Sequence, residues 1–86
     1  MNGTWDRQVV AIVFGGCSSE HEVSVMSTTN VMAAFARSRY SALPIYINRD
    51  GRWLLSSYEN GRLDTPSDGW QVSMVPGGRG KLLATA

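Results

Sequence analysis

The hydrophobic positions of the chain divide it into strand-like and helix-like segments. After the polar segment 1–8, Val9–Phe14 (VVAIVF) is an unbroken apolar run without polar alternation. A short run of this kind, rich in β-branched residues, predicts a strand that is buried on both faces of a parallel sheet. Gly15 and Gly16 end the run, and glycine allows the chain to turn sharply there.

The segment after the two glycines has the pattern of a helix start. Ser19 and Glu22 have the spacing of a capping box, in which each side chain bonds to the backbone N–H of the other. They predict a helix from Glu20 to about Arg37, with Ser19 as the N-cap. The residues predicted to cover the sheet are Val23, Met26, Ser27, Asn30, Val31, Ala34 and Phe35. A second apolar patch, expected to pack against something else such as another subunit, consists of Val25, Thr29, Met32 and Ala36.

The rest of the chain has the pattern of strands joined by turns. Tyr40–Asn48 predicts a second strand, and Pro44 within it, which has no N–H to donate, predicts a local edge position. Asn48–Gly51 has turn chemistry, and Arg52–Ser56 predicts a short strand that pairs back as a hairpin. The segments that follow are predicted as a polar loop at Tyr58–Gly69 and a second hairpin from Gln71–Val75 and Lys81–Ala84.

These elements predict an α/β fold. A strand, a helix and a strand within about 40 residues form a Rossmann-like βαβ unit, for which a right-handed crossover is expected. A single helix can cover only one face of a sheet, so we expect an incomplete domain within a longer natural polypeptide. On this interpretation 1–8 is an N-terminal tail and 9–86 is part of a domain.

Composition and charge exclude several classes of protein. The 86 residues carry a formal net charge of +1, whereas a nucleic-acid binder usually shows a concentrated basic face. The small basic cluster Arg79–Lys81 lies in a glycine-rich turn, where a solvated loop is the simpler interpretation and phosphate contact the alternative. No apolar run approaches the ~18 residues of a membrane span. The single cysteine, Cys17, cannot form an internal disulfide, which favours the cytoplasm.

The candidate site lies in Gly15–Ser24 (GGCSSEHEVS), because ligands of open α/β sheets bind beyond the carboxyl ends of the strands. Free N–H groups at a helix start favour an anion. Glu20 and Glu22 instead place two carboxylates in the first turn, which favour a cation such as a substrate ammonium group. The two lie about 200° apart around the helix and cannot both face one ligand. We assign Glu22, with Ser19, to the helix cap and Glu20 to the ligand; the simpler alternative is that both only complement the helix dipole.

The same residues resemble a known family. Val9–Val31 looks like the opening segment of the bacterial D-alanine–D-alanine ligases, and Gly15–Ser24 is similar to the family pattern G-G-x-S-x-E-x-E-V-S. A D-alanine–D-lactate ligase, or another amino-acid ligase of the ATP-grasp superfamily, could share this motif. Further segments that resemble the family's next strand and hairpins are Pro44–Ile47, Asp50–Leu54 and Pro76–Leu83.

The resemblance implies the pre-ATP-grasp, N-terminal domain of a cytoplasmic enzyme that joins two D-alanines for peptidoglycan synthesis. In that family ATP phosphorylates the carboxylate of the first D-alanine, the amine of the second attacks the acyl phosphate, and magnesium or manganese neutralises the phosphates. By the motif alignment, Glu20 is the catalytic-site residue that binds the ammonium group of the first D-alanine, and Val23 lines that pocket. The resemblance also implies that this segment binds no ATP or metal alone, is inactive alone, and functions with the rest of the ligase chain in a homodimer.

Two other interpretations stay open. Cys17 lies near a helix start, a position that favours a thiolate, and His21 is the only histidine that could serve as its base; an adventitious thiol is the simpler explanation. A lone histidine cannot form a metal site, which needs three or four ligands. The alternative from another functional class is a non-catalytic βαβ module that captures a small ammonium ligand.

Overall fold

The computed structural model describes residues 9–16, 19–78 and 81–85. The predictions for segment 1–8, Cys17 and Arg79 lie outside the described residues. Within the described ranges the elements are β1 (Val9–Gly15), α1 (His21–Phe35), β2 (Ser41–Ile47), β3 (Trp53–Leu55), β4 (Tyr58–Glu59), β5 (Arg62–Leu63), β6 (Gln71–Met74) and β7 (Leu82–Thr85).

Five of these strands form one mixed sheet in the order β1-β2-β3-β6-β7. β1 and β2 are parallel over their whole length, from Val9 opposite Ser41 to Gly15 opposite Ile47, and α1 connects them. The other neighbours in this sheet are antiparallel. The α/β class, the strand–helix–strand order and the two predicted hairpins are therefore confirmed.

The core lies between α1 and one face of the sheet. Phe14 is opposite Tyr46, and Tyr46 is opposite Leu54, so these side chains share a face. α1 covers that face, since the His21 ring packs edge-on against the Tyr46 ring with centroids 5.4 Å apart. Together with Met32 of α1 these side chains are buried, and burial of each large apolar side chain stabilises the fold by about 1.5–3 kcal/mol.

The prediction that β1 is buried on both faces is wrong. Val9 is 62% exposed and Val13 is 43% exposed, because β1 is an edge strand and these side chains point away from α1. No second layer covers that face within the described part of the chain. It carries instead a shallow apolar groove of about 440 Å³, lined by Val9, Ala11, Val13, Leu43, Ile45, Trp53, Met74 and Leu82.

The edge position predicted for the second strand is also wrong, because β2 lies between β1 and β3. Its proline is tolerated for a local reason. The Pro44 carbonyl accepts a hydrogen bond from the N–H of Ser56, 3.0 Å away, and the N and C=O of one strand residue point the same way. The position of the missing N–H therefore faces Ser56. This residue lies just beyond the end of β3, so the proline removes no hydrogen bond between paired residues of β2 and β3.

The helix differs from its prediction in both its start and its faces. α1 begins at His21, one residue later than expected, and its buried residues are His21, Thr28 and Met32. Val23 and Met26, which were predicted to cover the sheet, are 55% and 71% exposed. The prediction failed because valine and methionine occur all around this helix, so apolar character alone does not distinguish its two sides.

The segment predicted as a polar loop contains a small hairpin. β4 and β5 pair antiparallel, with Tyr58 opposite Leu63 and Glu59 opposite Arg62. Asn60 and Gly61 join them with φ angles of 53° and 78°, as in the tight turn that suits the twist of a hairpin. An Asn-Gly pair is the usual sequence signal for such a turn, but this segment was predicted as a loop because polar residues surround the pair.

Candidate functional site

The candidate site is built on the two glycines that lead from β1 to α1. Gly15 and Gly16 have φ angles of +93° and +105°. The N–H of Gly16 donates to the carbonyl of Ile47 at 2.7 Å, and the N–H of Gly15 donates to the Ser24 hydroxyl at 3.0 Å. The carboxyl ends of β1 and β2 and the first turn of α1 are thus joined around one short loop, at the edge of the sheet where the sequence predicted the site.

Gly15 and Gly16 meet different constraints. A Cβ atom on Gly15 would lie 2.4 Å from the Ile47 carbonyl oxygen and 3.0 Å from the Tyr46 ring, whereas one on Gly16 would meet nothing within 4 Å. Close approach of β2 therefore requires a glycine at position 15. Position 16 requires glycine only for its backbone angle.

The buried side chain of His21 is hydrogen-bonded to this loop. His21 is 3% exposed; its Nδ1 bonds to the Gly16 carbonyl, and its Nε2 lies 2.9 Å from the Tyr46 hydroxyl. The Tyr46 ring packs between Phe14 and His21, with both pairs of ring centroids 5.4 Å apart. The rings of Phe14, Tyr46 and His21 thus pack together next to the glycine loop.

The capping-box prediction is wrong. The N-cap is Glu20 rather than Ser19, and no side-chain hydrogen bond caps the helix. The Glu22 carboxylate instead accepts a hydrogen bond from Arg49 at 3.0 Å, in an ion pair whose side chains are 58% (Arg49) and 77% (Glu22) exposed. Glu22 still has a structural contact, since it ties the first turn of α1 to the turn after β2, but an exposed pair of this kind contributes only about 0–1 kcal/mol.

Glu20, the predicted ligand-binding residue, lies at the junction of the loop and the helix. Its side chain is exposed, and its carbonyl accepts the hydrogen bond of the Ser24 N–H at 2.9 Å. Val23 lies in the same first turn and is more than half exposed. The structure brings Gly15, Gly16 and the helix start together as predicted, while the roles of Glu20 and Val23 in binding stay predictions.

The pairing of His21 with Tyr46 was not predicted from the sequence. A tyrosine between Ile45 and Ile47 in an apolar strand needs a partner for its hydroxyl once it is buried. The parallel pairing of β1 and β2 places the end of β2 beside the start of α1, where the only histidine of the chain lies. These two facts together were a signal for the contact.

No group of three His, Cys, Asp or Glu side chains in the described ranges could hold a metal ion. Glu20 and Glu22 bring negative charge to the helix N-terminus, which opposes binding of phosphate there. Capture of a small cation at this loop stays a prediction.

α1 is 15 residues long, and the described part of the chain contains no helix that combines the length and the apolar character needed to cross a membrane.

Comparisons of the sequence with known proteins identify its family. A sequence model described as "D-ala D-ala ligase N-terminus" matches residues 9–79. The chain is 47% identical over 74 residues to the D-alanine–D-alanine ligase A of Brucella suis, a match that covers 86% of this chain and 21% of the relative. It is 46% identical over 84 residues to the D-alanine–D-alanine ligase A of Mesorhizobium japonicum, covering 92% of this chain and 24% of the relative. With the D-alanine–D-alanine ligase of Streptomyces coelicolor it shares 56% identity over 54 residues, 63% of this chain and 14% of the relative.

The chain thus spans between about a seventh and a quarter of the length of these curated relatives. The matched residues include β1, the glycine loop, α1 and the first hairpin. Because the family model covers far more than half of the chain, the comparison settles its family. The chain belongs to the D-ala D-ala ligase N-terminus family.

Proposed function

We propose that this chain is part of the N-terminal, Rossmann-like domain of an ATP-dependent D-alanine–D-alanine ligase, and that it anchors the first D-alanine. The observation that supports this most is the match to the ligase N-terminus family across the glycine loop and the helix start. The proposed product, D-alanyl-D-alanine, would serve peptidoglycan synthesis, and the reaction would take place in the cytoplasm, where ATP is available.

In the proposed reaction ATP phosphorylates the carboxylate of the first D-alanine, and the amine of the second D-alanine attacks the acyl phosphate. On this proposal, the residues of this segment take no part in that transfer. The nucleotide and its magnesium or manganese would be held by the rest of the ligase chain, in a homodimer. This segment alone is therefore expected to release no phosphate from ATP.

The contribution proposed for this segment is orientation by Glu20. Its carboxylate lies at the N-cap of α1, beyond the carboxyl end of β1, and can accept a hydrogen bond from a substrate ammonium group. A charge-assisted bond of this kind contributes roughly 1.5–3 kcal/mol. Fixing the first substrate relative to its reaction partner also removes part of the entropic barrier.

The test is the substitution Glu20→Gln in the complete ligase polypeptide, measured as phosphate release with ATP and D-alanine. We expect the KM of the first D-alanine to rise by at least about tenfold, the lower limit for a lost charge-assisted bond, while the KM of ATP stays the same. Glu22→Gln is the matched control, because Glu22 lies in the same helical turn but pairs with Arg49. If the two substitutions raised the KM of the first D-alanine equally, Glu20 would not have the proposed role.

A further inference from the structure

The loop between β1 and α1 is held by groups on both of its sides. On the side of β2, the Gly16 N–H donates a hydrogen bond to the Ile47 carbonyl at 2.7 Å. On the side of α1, the Gly16 carbonyl is hydrogen-bonded to Nδ1 of His21. Gly16 is thus held through its N–H by the end of β2 and through its carbonyl by His21, the first residue of α1.

The protonation pattern of the His21 ring follows from its partners. A carbonyl oxygen can only accept, so Nδ1 must carry the proton that is shared with Gly16. In the neutral ring Nε2 is then an acceptor, and it takes the hydrogen of the Tyr46 hydroxyl at 2.9 Å. The tyrosine therefore holds the ring in the orientation that directs Nδ1 at the loop.

A role in packing alone does not explain this histidine. The side chain is 3% exposed, and burial of a polar ring is unfavourable unless both nitrogens are hydrogen-bonded. An apolar side chain of similar size would fill the same space beneath the loop without that requirement. The imidazole differs from such a side chain because its two hydrogen bonds fix the rotation of the ring and the orientation of the Gly16 carbonyl.

We propose that His21 is a positioning residue: held by Tyr46, it fixes the Gly16 carbonyl and the start of α1, and so sets the position of the neighbouring Glu20 carboxylate. The effect on the loop stands on the contacts described above. Its last step, the effect on substrate, rests on the proposed function of Glu20.

The loop effect is tested by backbone amide hydrogen exchange in the full chain, read by NMR at Gly16 and at Leu55. The Leu55 N–H bonds to the Trp70 carbonyl at 2.8 Å, away from the loop, and serves as the internal control. In His21→Leu, which removes both ring bonds, we expect exchange at Gly16 to accelerate about tenfold more than at Leu55, the effect of roughly 1.4 kcal/mol. Equal acceleration at the two amides would show a general loss of stability and would overturn the proposal.

Two milder substitutions keep this test decisive if His21→Leu does not fold. The amide nitrogen of asparagine lies where Nδ1 lies in histidine, so His21→Asn should retain the bond to Gly16 and restore most of its protection. Tyr46→Phe keeps the aromatic ring and removes only the hydroxyl; we expect it to accelerate exchange at Gly16 about threefold while Leu55 stays unchanged. Unchanged exchange at Gly16 in Tyr46→Phe, or no rescue by asparagine, contradicts the proposed arrangement.

The substrate effect is tested by steady-state kinetics of the complete ligase polypeptide. We expect His21→Leu to raise the KM of the first D-alanine several-fold without changing the KM of ATP, and His21→Asn to restore it. If the wild-type polypeptide forms no D-alanyl-D-alanine, the proposed function fails, and amide exchange alone decides whether His21 positions the loop. If the enzyme is active and the loop loosens but the KM is unchanged, the link from His21 to Glu20 is refuted.

Discussion

Substituting alanine for each of the two loop glycines should separate the cost of a backbone angle from the cost of a steric clash. Gly15 and Gly16 both have positive φ, at +93° and +105°, so both substitutions bring conformational strain of about 1–2 kcal/mol. Only the Cβ of Gly15→Ala meets another atom, the Ile47 carbonyl oxygen at 2.4 Å. That oxygen also accepts the bond from the Gly16 N–H, so it cannot move away without weakening the loop.

Crowding of this kind in a packed region adds about 1–3 kcal/mol. We therefore expect Gly16→Ala to lower the free energy of unfolding by about 1–2 kcal/mol, and Gly15→Ala to lower it by about 2–5 kcal/mol. Urea unfolding followed by far-UV circular dichroism measures both values. Gly51→Ala is a second control, because its φ is +85° and its Cβ would also meet nothing within 4 Å.

The three variants should differ in stability in a fixed order. Gly16→Ala and Gly51→Ala should be similar to each other, and Gly15→Ala should be clearly less stable than either. If all three variants lost the same stability, the close approach of β1 and β2 at the glycine loop would have no energetic consequence. The physical account of position 15 would then be refuted.

Three further predictions concern the core, the surface and the groove. Leu54→Ala should lower the free energy of unfolding by about 2–5 kcal/mol, because Leu54 is fully buried. Leu83→Ala, at an exposed position, should lower it by less than about 1 kcal/mol. The midpoints of urea unfolding of the two variants measure this difference. Glu22→Gln should change the melting temperature by only a few degrees, because the ion pair of Glu22 with Arg49 is exposed. A large drop in the melting temperature would instead support a role of Glu22 in capping the helix. On its own, this 86-residue chain should self-associate through its exposed apolar groove. Val13→Lys should then reduce the sedimentation coefficient observed at high concentration, and identical sedimentation profiles of the two proteins would show that the groove does not mediate association.

The strands were predictable wherever the signal was local. An unbroken apolar run identified β1, and the turn at Asn48–Gly51 identified the first hairpin, because turn chemistry depends on a few neighbouring residues. The burial of β1 was not predictable from its composition. An apolar strand is the same in sequence whether or not a second layer covers it, and here one face carries α1 and the other an open groove.

The site was predictable in its place but not in its internal contacts. The glycine pair and the helix start located it, since both are local features of the chain. The bond between His21 and Tyr46 joins residues 25 positions apart and depends on the register of β1 with β2. The cap was predicted wrongly because the carboxylate of Glu22 pairs instead with Arg49, which lies beyond β2 and is brought near only by the fold.

The parallel pairing of β1 with β2 has a consequence for the order of folding. The hairpins β2–β3 and β6–β7 join residues that are near in sequence, whereas the first pair of the parallel ladder, Val9 and Ser41, must close a loop of more than thirty residues. Closing a long loop has an entropic cost that must be met before the contacts form, so such pairings form late. The glycine loop requires both strands, and we expect it to be among the last parts of the chain to become ordered. In pulsed hydrogen exchange during refolding, the Gly16 amide should then gain protection after the Leu55 amide.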